Sequence, residues 1–410
     1  MTVKSDFEVA VGGGGMVGAA LACSLARGGI QVVLLEARAP ERTWPSDTVD
    51  LRVSALTHAS QKMLKTIGAW SSMEQRGVSP YRFMRVWDAD YRAELFFDGA
   101  DVGEDILGHI VENRVTVAAL WDLLETLPGA EVVCPAQVID LQRSEQEATL
   151  VLEDGSRLRA DLIVAADGKA SRLRELAGID ITGWSYGQSA LVATVRPGRW
   201  HEETAYQRFL SEGPLAFLPL RDGACSIVWS CSFESTKKHL AMDDETFLDA
   251  LTEASGGILG TMERVGPRAA FPLGLQFAHK YTDDRVALVG DAAHAMHPLA
   301  GQGANMGLLD AAALAEVICQ ARSQGRPISS RQALRRYERW RKGDNVAMLG
   351  SMDALQRMYG VSFAPWGYLR STGMHCVDKT PLLKNFFTRY AMGIRGDLPK
   401  LAYGVPCWQS

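Results

Sequence analysis

The chain of 410 residues has no excess of basic charge, no CxxC cysteine pair and no run of 18 consecutive apolar residues. Its formal net charge of −5 gives no electrostatic case for binding nucleic acid. The seven cysteines are scattered and odd in number, which argues against a disulfide framework or a metal site and favours a reducing cytoplasm. Without a long apolar run, no membrane-spanning helix is predicted.

What the sequence does contain is an alternation of strand and helix signals at its start. A strand at Phe7–Val11 precedes a helix at Met16–Arg27, and a second buried strand covers 31–36. A further helix is predicted at Ala55–Ile67. The region 181–275 is rich in short β-type runs separated by Gly and Pro, which predicts a second sheet. These patterns together predict an α/β fold.

A glycine-rich turn joins the first strand to the first helix. Gly13, Gly15 and Gly18 stand where a backbone must approach a pyrophosphate without a Cβ in the way. The helix that follows aims its N–H groups and its dipole at that charge. Glu36, at the end of the second strand, is placed to accept hydrogen bonds from ribose hydroxyls. The pattern predicts a dinucleotide site, and the alternative is a structural turn.

The second motif follows a predicted buried strand at Asp161–Ala165. It contains Asp167 and Gly168, with Ser171 and Arg174 shortly after them. Asp167 offers a carboxylate to a ligand hydroxyl or, through water, to a pyrophosphate, and Gly168 permits close approach. A structural Asp-Gly turn is the alternative.

The third motif is the most specific. A predicted buried strand, Arg285–Val289, runs into Gly290 and Asp291, and Asp291 can accept a hydrogen bond from a ligand hydroxyl. A loop follows, and then a helix predicted to begin near Ala304. The positions expected to contact the ligand in this later segment are Pro298, Gly301, Gln302, Gly303, Ala304 and Asn305.

In this order and at these separations, the three motifs predict one FAD molecule that is held from its adenosine to its isoalloxazine ring. We expect the FAD to be non-covalent, because no Cys or His sits in an evident attachment motif. The positive end of the helix near Ala304 would stabilise the anion that forms when the flavin is reduced. The chain is therefore predicted to be a redox enzyme.

The chain resembles the group A flavoprotein aromatic hydroxylases, which share the para-hydroxybenzoate hydroxylase fold, and within them it is most similar to the ubiquinone-biosynthesis hydroxylases. The segments that carry the resemblance span nearly the whole chain. They are 11–18, 51–56, 107–113, 213–220, 288–307 and 391–393.

The resemblance implies a Rossmann-like FAD-binding domain, an inserted substrate domain that is mainly β-sheet, and a C-terminal helical region. It also implies that NADH or NADPH reduces the FAD, and that O2 then forms a flavin C4a-hydroperoxide that hydroxylates the ring of a polyprenylated phenol. Arg52 would contact the FAD, and Asn113 and Arg114 fall where the family often does so. Pro298, Gly301 and Gln302 would line the reaction site.

The predicted domains are discontinuous. The ranges are 1–70, 111–180 and 276–345 for the FAD-binding domain, 71–110 and 181–275 for the substrate domain, and 346–410 for the C-terminal helical region.

The substrate pocket is the least determined part of the prediction. Phe217, Pro219 and Trp229, on the predicted second sheet, are candidates for its wall, and plain core packing is the alternative for each. The basic stretch Arg331–Lys342 is either a solvated helix face or a contact with anionic lipid or a partner subunit.

Peripheral membrane contact, membership of a biosynthetic complex and homo-oligomerisation stay open. So do two other functions. One is hydroxylation of a small soluble aromatic compound, and the other is a flavin-stabilised scaffold subunit of a biosynthetic complex.

Overall fold

The structure is a computed structural model that describes residues 3–46, 48–89, 94–295, 302–359, 372–373, 375–394 and 396–409. Its strands in chain order are β1 (Val3–Gly12), β2 (Val32–Leu35), β3 (Val53–Leu56), β4 (Ser79–Tyr81), β5 (Phe83–Asp88), β6 (Glu94–Asp98), β7 (Gly108–Glu112), β8 (Ala130–Val133), β9 (Val138–Arg143), β10 (Ala148–Leu152), β11 (Arg157–Ala165), β12 (Ile181–Pro197), β13 (Thr204–Leu210), β14 (Gly213–Pro219), β15 (Cys225–Ser232), β16 (Met262–Ala278), β17 (Thr282–Asp283), β18 (Val286–Leu288) and β19 (His294–Ala295).

Short turns of 3-10 helix occur at Gly99–Val102, Arg221–Gly223, Gly290–Ala292 and Lys400–Tyr403. The α-helices are α1 (Met16–Arg27), α2 (His58–Ile67), α3 (Trp70–Arg76), α4 (Asn113–Leu124), α5 (Arg172–Leu176), α6 (Phe233–Ala241), α7 (Asp244–Ser255), α8 (Gln302–Ser323), α9 (Arg331–Tyr359) and α10 (Pro381–Ala391).

The first sheet has a parallel centre in the order β8-β2-β1-β11-β18. Its strands are apolar and buried because helices cover them, as parallel sheets require. Helix α1 connects β1 to β2 and packs against α4 and α8. The hairpin β9–β10 joins the sheet beside β11, and β17 lies at its other edge next to β18.

The second sheet is mostly antiparallel, in the order β19-β16-β12-β15-β14-β13-β5-β6. Helices α6 and α7 pack on one of its faces. A small third sheet, β3-β7-β4, lies between these parts of the chain. The α/β fold class and the second sheet are as predicted, whereas the domain boundaries stay a prediction.

Two predicted elements are wrong in detail. The helix predicted from Ala55 begins at His58, because Ala55 still belongs to β3 and the Thr57 side chain caps the helix by accepting from Ser60 N–H. The region 181–275, predicted to be a sheet, also contains α6 and α7. Phe247 of α7 packs on the sheet, a contact between distant segments that the β-rich pattern hides.

Candidate active site

The four central strands of the first sheet end level with one another. Leu35, Gly12, Ala165 and Leu288 are paired across β2, β1, β11 and β18. The carboxyl ends of parallel strands therefore form one edge, which is where ligands bind in open α/β sheets. The structure thus brings the three sequence motifs, which are separated by more than a hundred residues, to one edge.

The turn after β1 requires glycine. Gly13 has φ of +108°, and a Cβ there would lie 2.3 Å from the carbonyl oxygen of Ala166, in the second motif. The first two motifs can approach this closely only because Gly13 has no side chain. Gly18 is buried within α1 and packs against the same turn, with a Cβ position 1.9 Å from the Gly13 oxygen.

The start of α1 is open. A Cβ on Gly15 would have nothing within 4 Å, and Gly15 is exposed. Within the described part of the chain, no side chain caps α1, and its first turn contains no acidic residue. The N–H groups of this turn and the helix dipole therefore favour an anion here. This cradle fits the pyrophosphate of a dinucleotide.

Glu36 follows β2 and closes the adenosine side of the cradle. Its Oε2 accepts a hydrogen bond of 2.6 Å from Gly14 N–H, and its Oε1 accepts one of 3.1 Å from Arg38 N–H. A carboxylate has about four acceptor positions, so Glu36 keeps capacity for ribose hydroxyls. Gly14 is also fixed by Trp121 of α4, whose Nε1 donates to the Gly14 carbonyl at 2.8 Å.

Asp167 has local partners. It accepts hydrogen bonds from the Ser171 hydroxyl and, at 3.0 Å, from Leu173 N–H, so it organises the start of α5. Arg174 is buried and donates to the carbonyl of Ala292 at 3.0 Å, which ties the second motif to the third. The hydrogen bonds of Asp167 are therefore those of a structural turn, which was the alternative, and its contact with FAD stays a prediction. Gly168 has φ of +85° and open space around it.

Asp291 follows Gly290 at the carboxyl edge of the first sheet. Its side chain is exposed, yet loss of hydration among the surrounding protein raises its pKa. The charges of His294, Arg52 and Lys169 act in the opposite direction and lower its pKa. Because the carboxylate is exposed, it can accept hydrogen bonds from the hydroxyls of a ligand.

The surface around Asp291, Arg52 and Phe271, called the recess below, contains residues that follow strands of the first sheet and residues of the second sheet. The guanidinium of Arg52 lies over the ring of Phe271, 5.9 Å from its centroid. Lys169 offers its carbonyl to the side chain of Gln276 at 3.0 Å, and β19 pairs with β16 through Phe277. Phe271 and Lys169 were not predicted from the sequence, because neither belongs to a recognisable motif. Arg52 lies near enough to Asp291 for its charge to lower the pKa of that carboxyl, and its contact with FAD stays a prediction.

Asn113 and Arg114, which were also predicted to contact FAD, have mainly structural contacts. Asn113 is the first residue of α4, and its Oδ1 accepts from the Ser54 hydroxyl at 2.7 Å. Arg114 donates to Glu112 at 2.8 Å and lies over the Trp44 ring at 4.4 Å. Their contacts with FAD stay predictions.

A buried ionic cluster supports the third motif. Asp310 of α8 accepts a hydrogen bond of 3.2 Å from Gly290 N–H and one of 2.5 Å from His294 Nε2. Arg341 and Asn345 of α9 donate to its other oxygen at 2.9 and 3.0 Å. Burial alone would raise the pKa of Asp310, but these partners hold it at about 2. Asp310 was not predicted from the sequence. The signal that could have found it is its position as a single carboxylate within the apolar stretch 306–315.

The loop before α8 is partly outside the described residues, and the predicted Pro298 and Gly301 lie there. Helix α8 begins at Gln302, two residues earlier than predicted, and its first turn includes Gly303 and Ala304. Asn305 is buried and bridges α8 to the β3–α2 connection. Its Nδ2 donates to the Ala55 carbonyl at 2.7 Å, and its Oδ1 accepts from Thr57 N–H at 2.9 Å.

The predicted pocket residues lie on the other side of the second sheet. Phe217 and Trp229 belong to the core cluster under α7, together with Phe247. Trp229 stacks on His239 of α6, with ring centroids 4.3 Å apart. Pro219 is buried too. These three residues are therefore surrounded by core packing, which was the alternative to a place in the pocket wall.

The opposite face of that sheet is turned to the recess. Ala269, Val192, Val228 and Ala216 are paired in one row across four strands, so their side chains share a face. Phe271 lies on the same face, two residues from Ala269. The predicted pocket residues Phe217 and Trp229 lie on the other face, and their contact with a substrate stays a prediction.

The comparisons with known proteins agree with this arrangement. The family described as "FAD binding domain" matches residues 6–346. The chain belongs to this FAD-binding family. It is 39% identical to the ubiquinone hydroxylase UbiL of Rhodospirillum rubrum, over 97% of this chain and 93% of that protein. It is 35% identical to the 3-demethoxyubiquinol 3-hydroxylase of Escherichia coli (94% and 98%) and to human ubiquinone biosynthesis monooxygenase COQ6 (94% and 92%).

Solved structures share the fold. PqsL of Pseudomonas aeruginosa, titled a probable FAD-dependent monooxygenase, superposes with a TM-score of 0.76 at 24% identity, over 90% of this chain and all of that chain. The p-nitrophenol 4-monooxygenase PnpA of Pseudomonas putida superposes with a TM-score of 0.78 at 19% identity, over 96% and 100%.

The predicted resemblance is confirmed: the chain is an FAD-dependent monooxygenase of the ubiquinone-hydroxylase family. The fold class and the FAD cofactor are confirmed with it. No helix in the described ranges is long and apolar enough to cross a membrane.

Proposed function

We propose that this enzyme hydroxylates the aromatic ring of a polyprenylated phenol in ubiquinone biosynthesis, with NADH or NADPH and O2 as co-substrates. The observation that carries the proposal is the identity of 35–39% with three ubiquinone hydroxylases over nearly the whole chain. The recess at Asp291 and Arg52 supports it, because it lies between the cofactor edge and an apolar sheet face.

The described residues offer groups suited to the pyrophosphate, the ribose and the ribityl chain of FAD. The open turn at Gly15 accepts the pyrophosphate, and Glu36 keeps acceptors for the ribose. Asp291, an exposed carboxylate, would accept hydrogen bonds from the ribityl hydroxyls. When bound, FAD takes up the electrons of NAD(P)H and activates O2 for transfer to the ring.

The apolar row of the second sheet holds the substrate ring. Val228 and Ala216 present small side chains, so the face is flat enough for an aromatic ring. Phe271, 40% exposed, offers an aromatic edge or face beside it. Phe271→Ala is expected to raise the KM for the phenol about tenfold and to leave FAD retention unchanged. The matched control is Phe233→Ala on α6, on the other face of the sheet, where Phe233 is 50% exposed. Equal effects of the two substitutions would contradict this wall.

The test of the substrate class is a tail-length series. NAD(P)H oxidation coupled to hydroxylated product is measured with phenols that carry zero, one, two or three isoprene units. Burying one unit is worth on the order of 3–4 kcal/mol before ordering costs, so efficiency should rise with tail length and then level off. Equal efficiency across the series would instead favour hydroxylation of a small soluble aromatic compound.

A polyprenylated substrate partitions into membranes, so the enzyme must meet a bilayer or a partner that carries the lipid. We therefore place it at the cytoplasmic surface of a membrane, alone, as a homo-oligomer or within a biosynthetic complex. Membrane flotation of cell extracts tests this location. Recovery of all of the enzyme away from membranes and from larger assemblies would contradict it.

A further inference from the structure

Three apolar side chains of helix α10, those of Leu382, Leu383 and Phe386, are exposed to water. Leu382 is 85% exposed, the largest fraction of any large hydrophobic side chain among the described residues. Leu383 is 46% exposed, and Phe386, one turn further on, is 42% exposed. At 100° per residue these three positions fall within one arc of about 100°.

The polar side of the same helix faces the protein. Thr388 is buried, and the side chain of Lys384 is only 16% exposed. Lys384 is held by Asp378 at 3.5 Å and by Asp101 at 3.9 Å, next to β6 of the second sheet. A helix that packs on its own protein normally has the reverse arrangement, with its apolar stripe inward. The orientation of α10 is thus fixed by polar contacts, and its apolar arc is presented outward.

The charge of α10 differs from that of the whole chain. Its eleven residues contain Lys384 and Arg389 and no acidic residue, although the chain has a net charge of −5. Arg389 is exposed and lies beside Leu382 on the helical wheel. Lys384 is paired with carboxylates on the protein side, so Arg389 is the basic residue that borders the apolar arc. A basic residue in that position is typical of helices that lie in the interface of an anionic bilayer.

The end of α10 packs between the β6 edge of the second sheet and the β3–α2 connection. Met392 is buried against Val102 and Leu107, near the edge of the second sheet. A Cβ on Gly393 would lie 3.1 Å from the Thr57 hydroxyl, and Thr57 N–H donates to Asn305 of α8. A surface at α10 is therefore connected through two residues to the helix that follows the third motif.

We propose that α10 is the surface by which this enzyme docks on an anionic phospholipid bilayer, with Leu382 and Leu383 inserted at the headgroup boundary. The proposal rests on the proposed function, because only a lipid substrate requires the active site to face a membrane. Docking by α10 would hold the enzyme at the surface of the membrane that contains the prenylated substrate.

The test is sedimentation of the FAD-loaded enzyme with vesicles of phosphatidylcholine and phosphatidylglycerol, compared with vesicles of phosphatidylcholine alone. The parent is expected to bind the anionic vesicles more strongly. Leu382→Ser/Leu383→Ser is expected to lower the partition coefficient at least about tenfold. Arg389→Glu is expected to lower binding to anionic vesicles and to leave binding to neutral ones unchanged.

The matched control is Phe233→Ser/Leu240→Ser on α6, where the two side chains are 50% and 40% exposed. This variant is expected to bind as the parent does. Docking by α10 is overturned if the parent does not bind, or if both double variants bind like the parent. It is also overturned if the parent is a dimer that Leu382→Ser/Leu383→Ser makes monomeric without weakening vesicle binding, because a second copy then covers α10.

A turnover assay separates this proposal from the proposed function. With a phenol that carries one isoprene unit, in solution and without vesicles, Leu382→Ser/Leu383→Ser is expected to match the parent, since neither residue touches the recess. If the parent hydroxylates the prenylated phenol in solution but does not bind vesicles, docking by α10 is overturned and the proposed function is kept. Vesicle binding by a parent that hydroxylates no prenylated phenol overturns the proposed function instead.

Discussion

Arg341 Nε donates a hydrogen bond of 2.9 Å to Asp310 Oδ1, and both side chains are shielded from water. Asp310 uses its other oxygen for His294 and for the backbone of Gly290. The pair therefore joins α8 and α9 to the third motif. Because Gly290 directly precedes Asp291, the cluster positions a candidate cofactor ligand without touching the recess itself.

Breaking this pair from one side should be strongly destabilising. Asp310→Asn removes the buried partner of the Arg341 charge and leaves it only the exposed carboxylate of Asp344, at 3.3 Å. We expect a loss of about 3–5 kcal/mol in the free energy of unfolding. The double variant Asp310→Asn/Arg341→Met should lose less than the sum of the single losses. Urea unfolding of the three variants measures the coupling, and strictly additive losses would show that the two side chains do not interact.

Acid should weaken the protein through the same carboxylate. The pKa of Asp310 is about 2 in the folded state, against an ordinary value of 3.8. A lowered pKa contributes stability that is fully present above pH 3.8 and is lost as the pH falls towards 2. The contribution is about 2 kcal/mol. In Asp310→Asn this part of the pH dependence should disappear, as measured by unfolding at several pH values between 2 and 6. An unchanged profile would contradict it.

Asp291→Asn should have opposite effects on stability and on FAD binding. Its pKa is raised by desolvation, so the ionised carboxylate destabilises the FAD-free protein increasingly as the pH rises above its ordinary 3.8. The FAD-free variant should therefore melt at a higher temperature than the parent at neutral pH, and the difference should vanish in acid. FAD should bind about one to two decades more weakly, because a charge-assisted hydrogen bond is lost. Equilibrium dialysis measures this affinity, and an unchanged dissociation constant would show that Asp291 does not bind the flavin.

Gly15→Val separates a binding role from a folding role in the first turn. The added side chain meets no protein atom within 4 Å of its Cβ, so the protein should fold and melt normally. It would occupy the pyrophosphate cradle, and FAD affinity should fall at least about tenfold. Gly343→Val, also at an open position, is the control that should keep FAD. Gly18→Ala should instead destabilise the fold itself, because its Cβ overlaps the Gly13 carbonyl. Normal FAD retention by Gly15→Val would remove Gly15 from the cofactor site.

Much of the nucleotide-binding edge could be predicted from local patterns. Gly13, Glu36 and Gly290 each follow a short buried strand, and strand, glycine turn and helix are all encoded within about 30 residues. Apolar periodicity and turn residues act over such distances, so the order of the motifs was enough to predict one extended cofactor. The family comparisons confirm that cofactor.

The remaining features depended on contacts between distant segments, which no local pattern encodes. Strand alternation places the side chains of Ala216 and Phe217 on opposite faces of the second sheet. Which face becomes core is decided by the packing of α7, which covers Phe217 and not Ala216. In the same way Asp310 is simply a polar residue in α8 until α9 brings Arg341 beside it. The sequence by itself determined the strand ends and the cofactor class, because these follow from short-range hydrophobic pattern and backbone freedom. The tertiary structure alone decided which sheet face packs under α7, which ion pair is buried and which described side chains of α10 face solvent. The reason is that burial depends on what the rest of the chain places opposite.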